Sequence, residues 1–170
     1  KSWGMKGSLA AHSPFVMFLE ERKSSFRETS LSYLSGIMFS IGWWLWIDGV
    51  AWKSAFQDPI SITFGHWVPG IVGTIGLFMV NAVSWTDLEG FGFGDDSTLS
   101  RSRIWLFASF TVCFSGIIAS IWIAVEHWFN NADQGNVWPG VALICQNLLI
   151  FLAALAYRFA KPPPMDQPAF

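Results

Sequence analysis

The sequence predicts an all-α membrane protein, and three observations carry that reading: four apolar runs of matching length, a low charge content, and basic residues gathered on one side. The runs cover residues 31–52, 64–84, 104–125 and 137–157, each 21 or 22 residues long. Together they contain a single carboxylate, Asp48, and a single imidazole, His66. At about 1.5 Å per residue each run reaches roughly 30 Å, the thickness of a bilayer's hydrocarbon core. Helices of a soluble core would instead show a polar stripe every 3.6 residues. Hydrophobic residues make up 52% of the chain and charged residues 13%, about half the charge share of a soluble domain. The spans divide the chain into a head (1–30), a four-helix transmembrane domain (31–158) and a tail (159–170). The head opens on polar, mixed-charge sequence, so no cleaved signal peptide is expected and the first run should act as the insertion signal.

Nine of the ten basic residues predict orientation. Lys1, Lys6, Arg22, Lys23 and Arg27 lie in the head, Arg101 and Arg103 between spans two and three, and Arg158 and Lys161 at the C-terminal end. Only Lys53 falls in the other two connections. The positive-inside rule then places both termini and the middle loop in the cytoplasm. Trp46, Trp52, Trp67, Trp122, Trp128 and Trp138 cluster at the opposite, lumenal boundary, where indole rings favour the headgroup layer.

Element by element, Ser13-Pro14 is a helix start. Phe15, Phe18, Leu19 and Phe26 follow at helical spacing, with Glu20, Glu21, Ser24 and Arg27 facing away. That stripe predicts an N-terminal interfacial amphipathic helix, lying in the cytoplasmic membrane plane before the chain turns into span one; a tail that touches nothing is the alternative. Span one ends in Trp46-Ile-Asp48 and span three in Trp122-Ile-Ala-Val-Glu126. Span two opens with His66-Trp-Val-Pro-Gly70 and span four with Asn136-Val-Trp-Pro-Gly140. The two halves therefore read as two hairpins in the same orientation, a parallel repeat. Pro69 and Pro139 fall in first turns, where a missing N–H costs little.

Inside the lipid the informative residues are small or polar. Gly70, Gly73 and Gly76 on span two, Gly36 and Ser40 on span one, and Gly116 and Ser120 on span three are candidate helix-packing positions. Small residues let backbones approach where lipid supplies no hydrophobic drive; the contact is within one bundle or with a second chain. Asn81, Gln146 and Asn147 are midspan amides that call for partners on neighbouring helices or another protein. Asp48 joins them as a candidate intramembrane polar contact, expected to be held by His66 or Lys53. His66, Glu126 and His127 form a candidate lumenal cluster, either simply solvated or responsive to an acidic lumen. No spacing resembles a metal-ligand motif, and Cys113 and Cys145 read as small core residues. No nucleophile–base pair, phosphate loop or basic nucleic-acid surface is visible, so neither a catalytic site, a cofactor, a metal nor a nucleic-acid partner is expected.

Three segments resemble a known family. GWWLWIDGV at 42–50, WVPGIVGTIGLFMVNAVS at 67–84 and SRIWLFASFTVCFSGIIASIW at 102–122 are similar to the transmembrane protein 50 family, whose fungal branch is the vacuolar-protein-sorting-68 type. The resemblance runs from about residue 31 to 158. It implies a small membrane protein of the endosome, vacuole or late secretory pathway without catalytic residues. For the fungal type it implies late-endosome-to-vacuole sorting in complex with a small four-helix membrane protein of the leptin-receptor-overlapping-transcript type. The expected function is thus a non-enzymatic subunit of a sorting complex in contact with membrane lipids. The alternatives are a component of a small-solute or lipid transporter or channel, and an accessory subunit stabilising a larger membrane enzyme or pump.

Overall fold

The computed structural model describes residues 14–55, 60–83, 96–132 and 135–160. The acidic stretch with Asp87, Glu89 and Asp95 and the tail lie outside these segments. Among the described residues four helices are present: α1 (Pro14–Ala55), α2 (Val68–Asn81), α3 (Asp96–Ala124) and α4 (Trp138–Ala160). A 3₁₀ turn, Phe64–His66, leads into α2, and a π-helical turn, Val125–Phe129, follows α3. No strand occurs among the described residues.

The helices alternate in direction. Ser35 meets Ala153 and Gly49 meets Pro139, so α1 and α4 are antiparallel. Gly76 meets Cys113 and Gly116 meets Pro69, so α2 and α3 are antiparallel too. Contacts of Gly70 with Gln146 and Gly73 with Ile150 run α2 parallel to α4. One end of the bundle therefore gathers the end of α1, the start of α2, the end of α3 and the start of α4; this is called the aromatic end below. The other, terminal end holds the opposite extremities.

The pairing differs from two sequence-local hairpins. α1 packs along α4, whereas α2 packs on α3 and α4. α1 reaches the start of α2 through the rings of Trp43 and Trp46 against Trp67. The cause is complementary surface: α1 turns small residues toward the small residues and backbone of α4. The expected turn between an interfacial helix and span one is also missing, because α1 is helical without interruption over 42 residues, about 63 Å. Residue 35 lies opposite 153, so residue 28 falls level with the end of α4 at 160. The first 14 residues of α1, roughly 21 Å, thus project beyond the bundle. Phe15, Leu19 and Phe26 are exposed there.

Three stretches, Phe26–Ala55, Ser100–Phe129 and Trp138–Ala160, are long and apolar enough to cross a membrane. α2 has only 14 residues, about 21 Å. Carbonyls at and just beyond its C-terminal end are satisfied by neighbours, as backbone in lipid requires. Trp105 Nε1 donates to the Met79 carbonyl at 3.1 Å, and Arg158 Nη1 donates to the Val83 carbonyl at 3.3 Å. At the start of α4, Asn136 Oδ1 accepts from the Trp138 backbone N–H at 2.9 Å, and Pro139 takes the first turn, where no partner is needed.

Two apolar clusters fill the interior. Leu77, Val80, Cys113, Ile150, Ala153 and Ala154 form the one toward the terminal end, and Trp46, Ala124, Trp128 and Leu143 form the one at the aromatic end. The outer surface is more apolar still: Ile37, Ile41, Trp44, Ile75, Phe78, Phe107, Ile118, Trp122 and Leu152 are all exposed. Ser35, Ser109, Ser120, Gln146 and Asn147 are buried instead. This inversion suits lipid as the surrounding solvent.

Candidate functional site

The bundle is held at close range by small residues. On α1 these are Ser35, Gly42 and Gly49, spaced by seven. The Ser35 hydroxyl donates to the Ala153 carbonyl at 2.8 Å. A methyl at Gly42 would lie 3.1 Å from the Gln146 carbonyl oxygen, and one at Gly49 would lie 3.0 Å from Ala142 Cβ. On α2, Gly70, Gly73 and Gly76 are buried. Gly70 lies on the Gln146 amide, Gly73 beside Asn147 and Ile150, and Gly76 against Cys113 and Ser109 of α3. Gly116 faces the Pro69 carbonyl and Asn147 Oδ1. Ser120 is buried and returns its hydroxyl to the Ile117 carbonyl at 2.7 Å.

Gly36 and Ser40 lie elsewhere. Nothing approaches within 4 Å of a methyl built at Gly36, and the exposed Ser40 bonds back to the Gly36 carbonyl at 2.8 Å. The packing expected of that pair is carried instead by Gly42 and Gly49. A spacing of four turns a residue pair about 40° around a helix, whereas a spacing of seven returns to nearly the same face. The heptad of small residues was the signal for the α4-facing stripe.

The small residues make room for buried amides. Gln146 is 1% exposed, and neither its Nε2 nor its Oε1 finds a hydrogen-bond partner among the described residues. Asn147 donates from Nδ2 to the Leu143 carbonyl at 3.0 Å. Its Oδ1 sits between Gly73 and Gly116, where glycine Cα–H groups are its weak partners. Asn81, nearer the terminal end of α2, is half-buried with an unpartnered Oδ1.

One turn before Gly70, the chain places His66 at the aromatic end. The Thr63 backbone N–H donates to His66 Nδ1 at 3.0 Å. The Thr63 hydroxyl and carbonyl also lie 3.0 and 3.2 Å from Nδ1, so Thr63 holds this edge of the ring in either tautomer. The π-helical turn brings His127 and Trp128 against it, with ring centroids 4.8 Å and 5.0 Å from that of His66. His127 Nδ1 donates to the Ile123 carbonyl at 3.2 Å, since a carbonyl can only accept. Trp46 stands edge-on to both Trp67 and Trp128, at 5.7 and 6.5 Å. Glu126 is exposed and pairs with neither imidazole among the described residues. Asp48 is held by Trp138, whose Nε1 donates to its Oδ2 at 2.9 Å, not by His66 or Lys53.

Among the described residues no three His, Cys, Asp or Glu side chains gather as a metal site would require. Cys113 and Cys145 are free thiols. What the arrangement offers chemically is hydrogen bonding inside an otherwise apolar bundle.

A helical bundle with an apolar outside and amides within is an integral membrane protein. The model of the uncharacterised protein family UPF0220 matches residues 15–163, and the chain belongs to that family. The chain is 37% identical to a transmembrane protein 50 homolog of Dictyostelium discoideum, covering 83% of this chain and 97% of that one. It is 29% identical to a UPF0220 protein of Schizosaccharomyces pombe, over 79% and 84% of the two chains. Vacuolar protein sorting-associated protein 68 of Saccharomyces cerevisiae is 25% identical over 76% and 79%. The resemblance carried by the span motifs and these relatives define the same family. No solved structure matches.

Proposed function

We propose that this chain is a non-catalytic subunit of a small membrane complex that sorts proteins between the late endosome and the vacuole. The observation that carries this reading is the likeness, over three-quarters of the chain, to a yeast protein named for vacuolar protein sorting. The architecture supports it. The described residues form a bundle with broad apolar faces on α1 and α3, surfaces through which a subunit meets lipid or other helices. In this reading α2 completes a fourth crossing, and both termini, the middle loop and the projecting start of α1 are cytoplasmic. The partner is a small four-helix membrane protein of the leptin-receptor-overlapping-transcript type.

The test is purification of the tagged full chain in mild detergent, identification of co-purifying chains, and a vacuolar-sorting assay in cells lacking the gene. Co-purification of such a partner together with a sorting defect is the expected result. A chain that purifies alone, and whose loss leaves sorting intact, overturns the proposal. The buried amides favour a second reading, a component of a solute or lipid transporter. That reading predicts transport by the purified chain in vesicles.

A further inference from the structure

The aromatic end contains an excess of buried donors. Trp46 Nε1 and Trp128 Nε1, and beside them His66 Nε2, are each enclosed and have no hydrogen-bond partner among the described residues. Their residues are 0%, 0% and 2% exposed. Three separate elements, α1, the turn before α2 and the π-helical turn, bring them into one ring cluster, in which Trp128 touches both Trp46 and His66. An unpaired buried N–H costs on the order of 1–3 kcal/mol, and most native buried donors are paired. Ring faces are their nearest substitutes, and N–H···π contacts are weak.

We propose that this cluster is a binding site for an acceptor-only oxygen of a phospholipid, an ester carbonyl or a phosphoryl oxygen, donated to by the Trp46 and Trp128 indoles beside the His66 ring. Two observations select that chemistry. The two unpaired indole atoms are N–H groups, so a bound water would leave its own hydrogens facing donors and aromatic rings. The cluster also lies at the aromatic end, where Trp52, Trp67, Trp122 and Trp138 mark the depth of lipid headgroups and ester groups. Because the donors are enclosed, the oxygen enters only when the wall moves. The wall includes the π-helical turn Val125–Phe129, a helix irregularity frequent at functional sites. The exposed Phe64 and Phe129 flank the cluster with apolar surface suited to an acyl chain.

The experiment replaces Trp46 or Trp128 with benzothienylalanine, which keeps the indole shape but has no N–H donor. The full-length chain and both variants are placed in phosphatidylcholine nanodiscs. Retention of phospholipid after extraction is measured by native mass spectrometry, alongside thermal unfolding. The expected result is a phospholipid retained by the parent and lost about tenfold more readily from each variant, one hydrogen bond's worth. Equal retention and equal thermal midpoints in all three overturn the proposal. So does a variant that loses stability when the parent itself retains no lipid, which would assign the donors to water. Lipid retention unchanged in the variants, with fewer partner chains recovered when they are purified in mild detergent, would assign them to a protein carbonyl and also overturns it.

Discussion

Trp138 Nε1 donates to Asp48 Oδ2 at 2.9 Å, joining residues ninety positions apart at the aromatic end. The bond follows from the α1–α4 stripe. Gly49 packs on Pro139, and the carboxylate next to it in sequence then falls beside the indole at the first position of α4. A charge-assisted bond of this kind is geometrically specific, and it fixes how far α1 slides along α4.

Removing either partner should therefore have a modest and shared effect. Asp48→Asn and Trp138→Phe are each expected to lower stability by about 1 kcal/mol, since the pair is partly solvated. The double variant should be little worse than the single ones. Unfolding of all four proteins in mixed detergent micelles measures the coupling; strictly additive losses would mean that the two side chains act independently.

Glycines on the two faces of α1 and α2 should separate cleanly. A methyl at Gly76 would meet Cys113 Sγ at 2.5 Å and the Cys113 backbone nitrogen at 2.9 Å, and backbone cannot move aside cheaply. Gly76→Ala is expected to cost about 1–3 kcal/mol. Gly36→Ala meets nothing within 4 Å and should be neutral or stabilising by up to about 1 kcal/mol, the helix-propensity difference. Thermal midpoints of the two variants check this, and equal midpoints would mean that α2 does not approach α3 as described.

Most of the fold was legible because lipid imposes simple rules. Run length located the helices, Ser13-Pro14 located the start of α1, and Gly70 to Gly76 marked a buried stripe. Pairing was less legible. Nothing in the order of α1 and α2 says that α1 will lie along α4; that depends on the heptad Ser35, Gly42 and Gly49 meeting its complement on α4. The length of α2 was overestimated for a related reason. Hydropathy counts residues 64–84 as one run, but the 3₁₀ turn Phe64–His66 occupies its start and α2 closes at Asn81, beside the Met79 carbonyl that accepts from Trp105. His66, Glu126 and His127 were grouped by their common place at the ends of spans; the two imidazoles meet ring to ring, whereas the exposed Glu126 points away from them, as the neighbour in sequence of a helical residue does.

The number of crossings can be measured directly. Ser54 closes α1 and Ser100 lies near the start of α3, and both are exposed. In a background lacking Cys113 and Cys145, a cysteine at position 54 and one at position 100 should label from opposite faces of sealed vesicles with a membrane-impermeant maleimide. Labelling from the same face would mean that α2 turns back without crossing.

Gln146 separates stability from function. Its amide is buried against Gly70 with neither polar atom paired among the described residues, a state that costs about 1–3 kcal/mol relative to a paired amide. Methionine has nearly the same length and shape and carries no such penalty. If the amide serves only the fold, Gln146→Met should insert normally and unfold at a higher temperature, with partner recovery and sorting unchanged. If it serves the complex, the same variant should be at least as stable and yet recover less partner or sort less cargo, which is the outcome expected here. A fall in thermal stability would contradict both, because it would mean that the amide already has a strong hydrogen-bond partner within the chain.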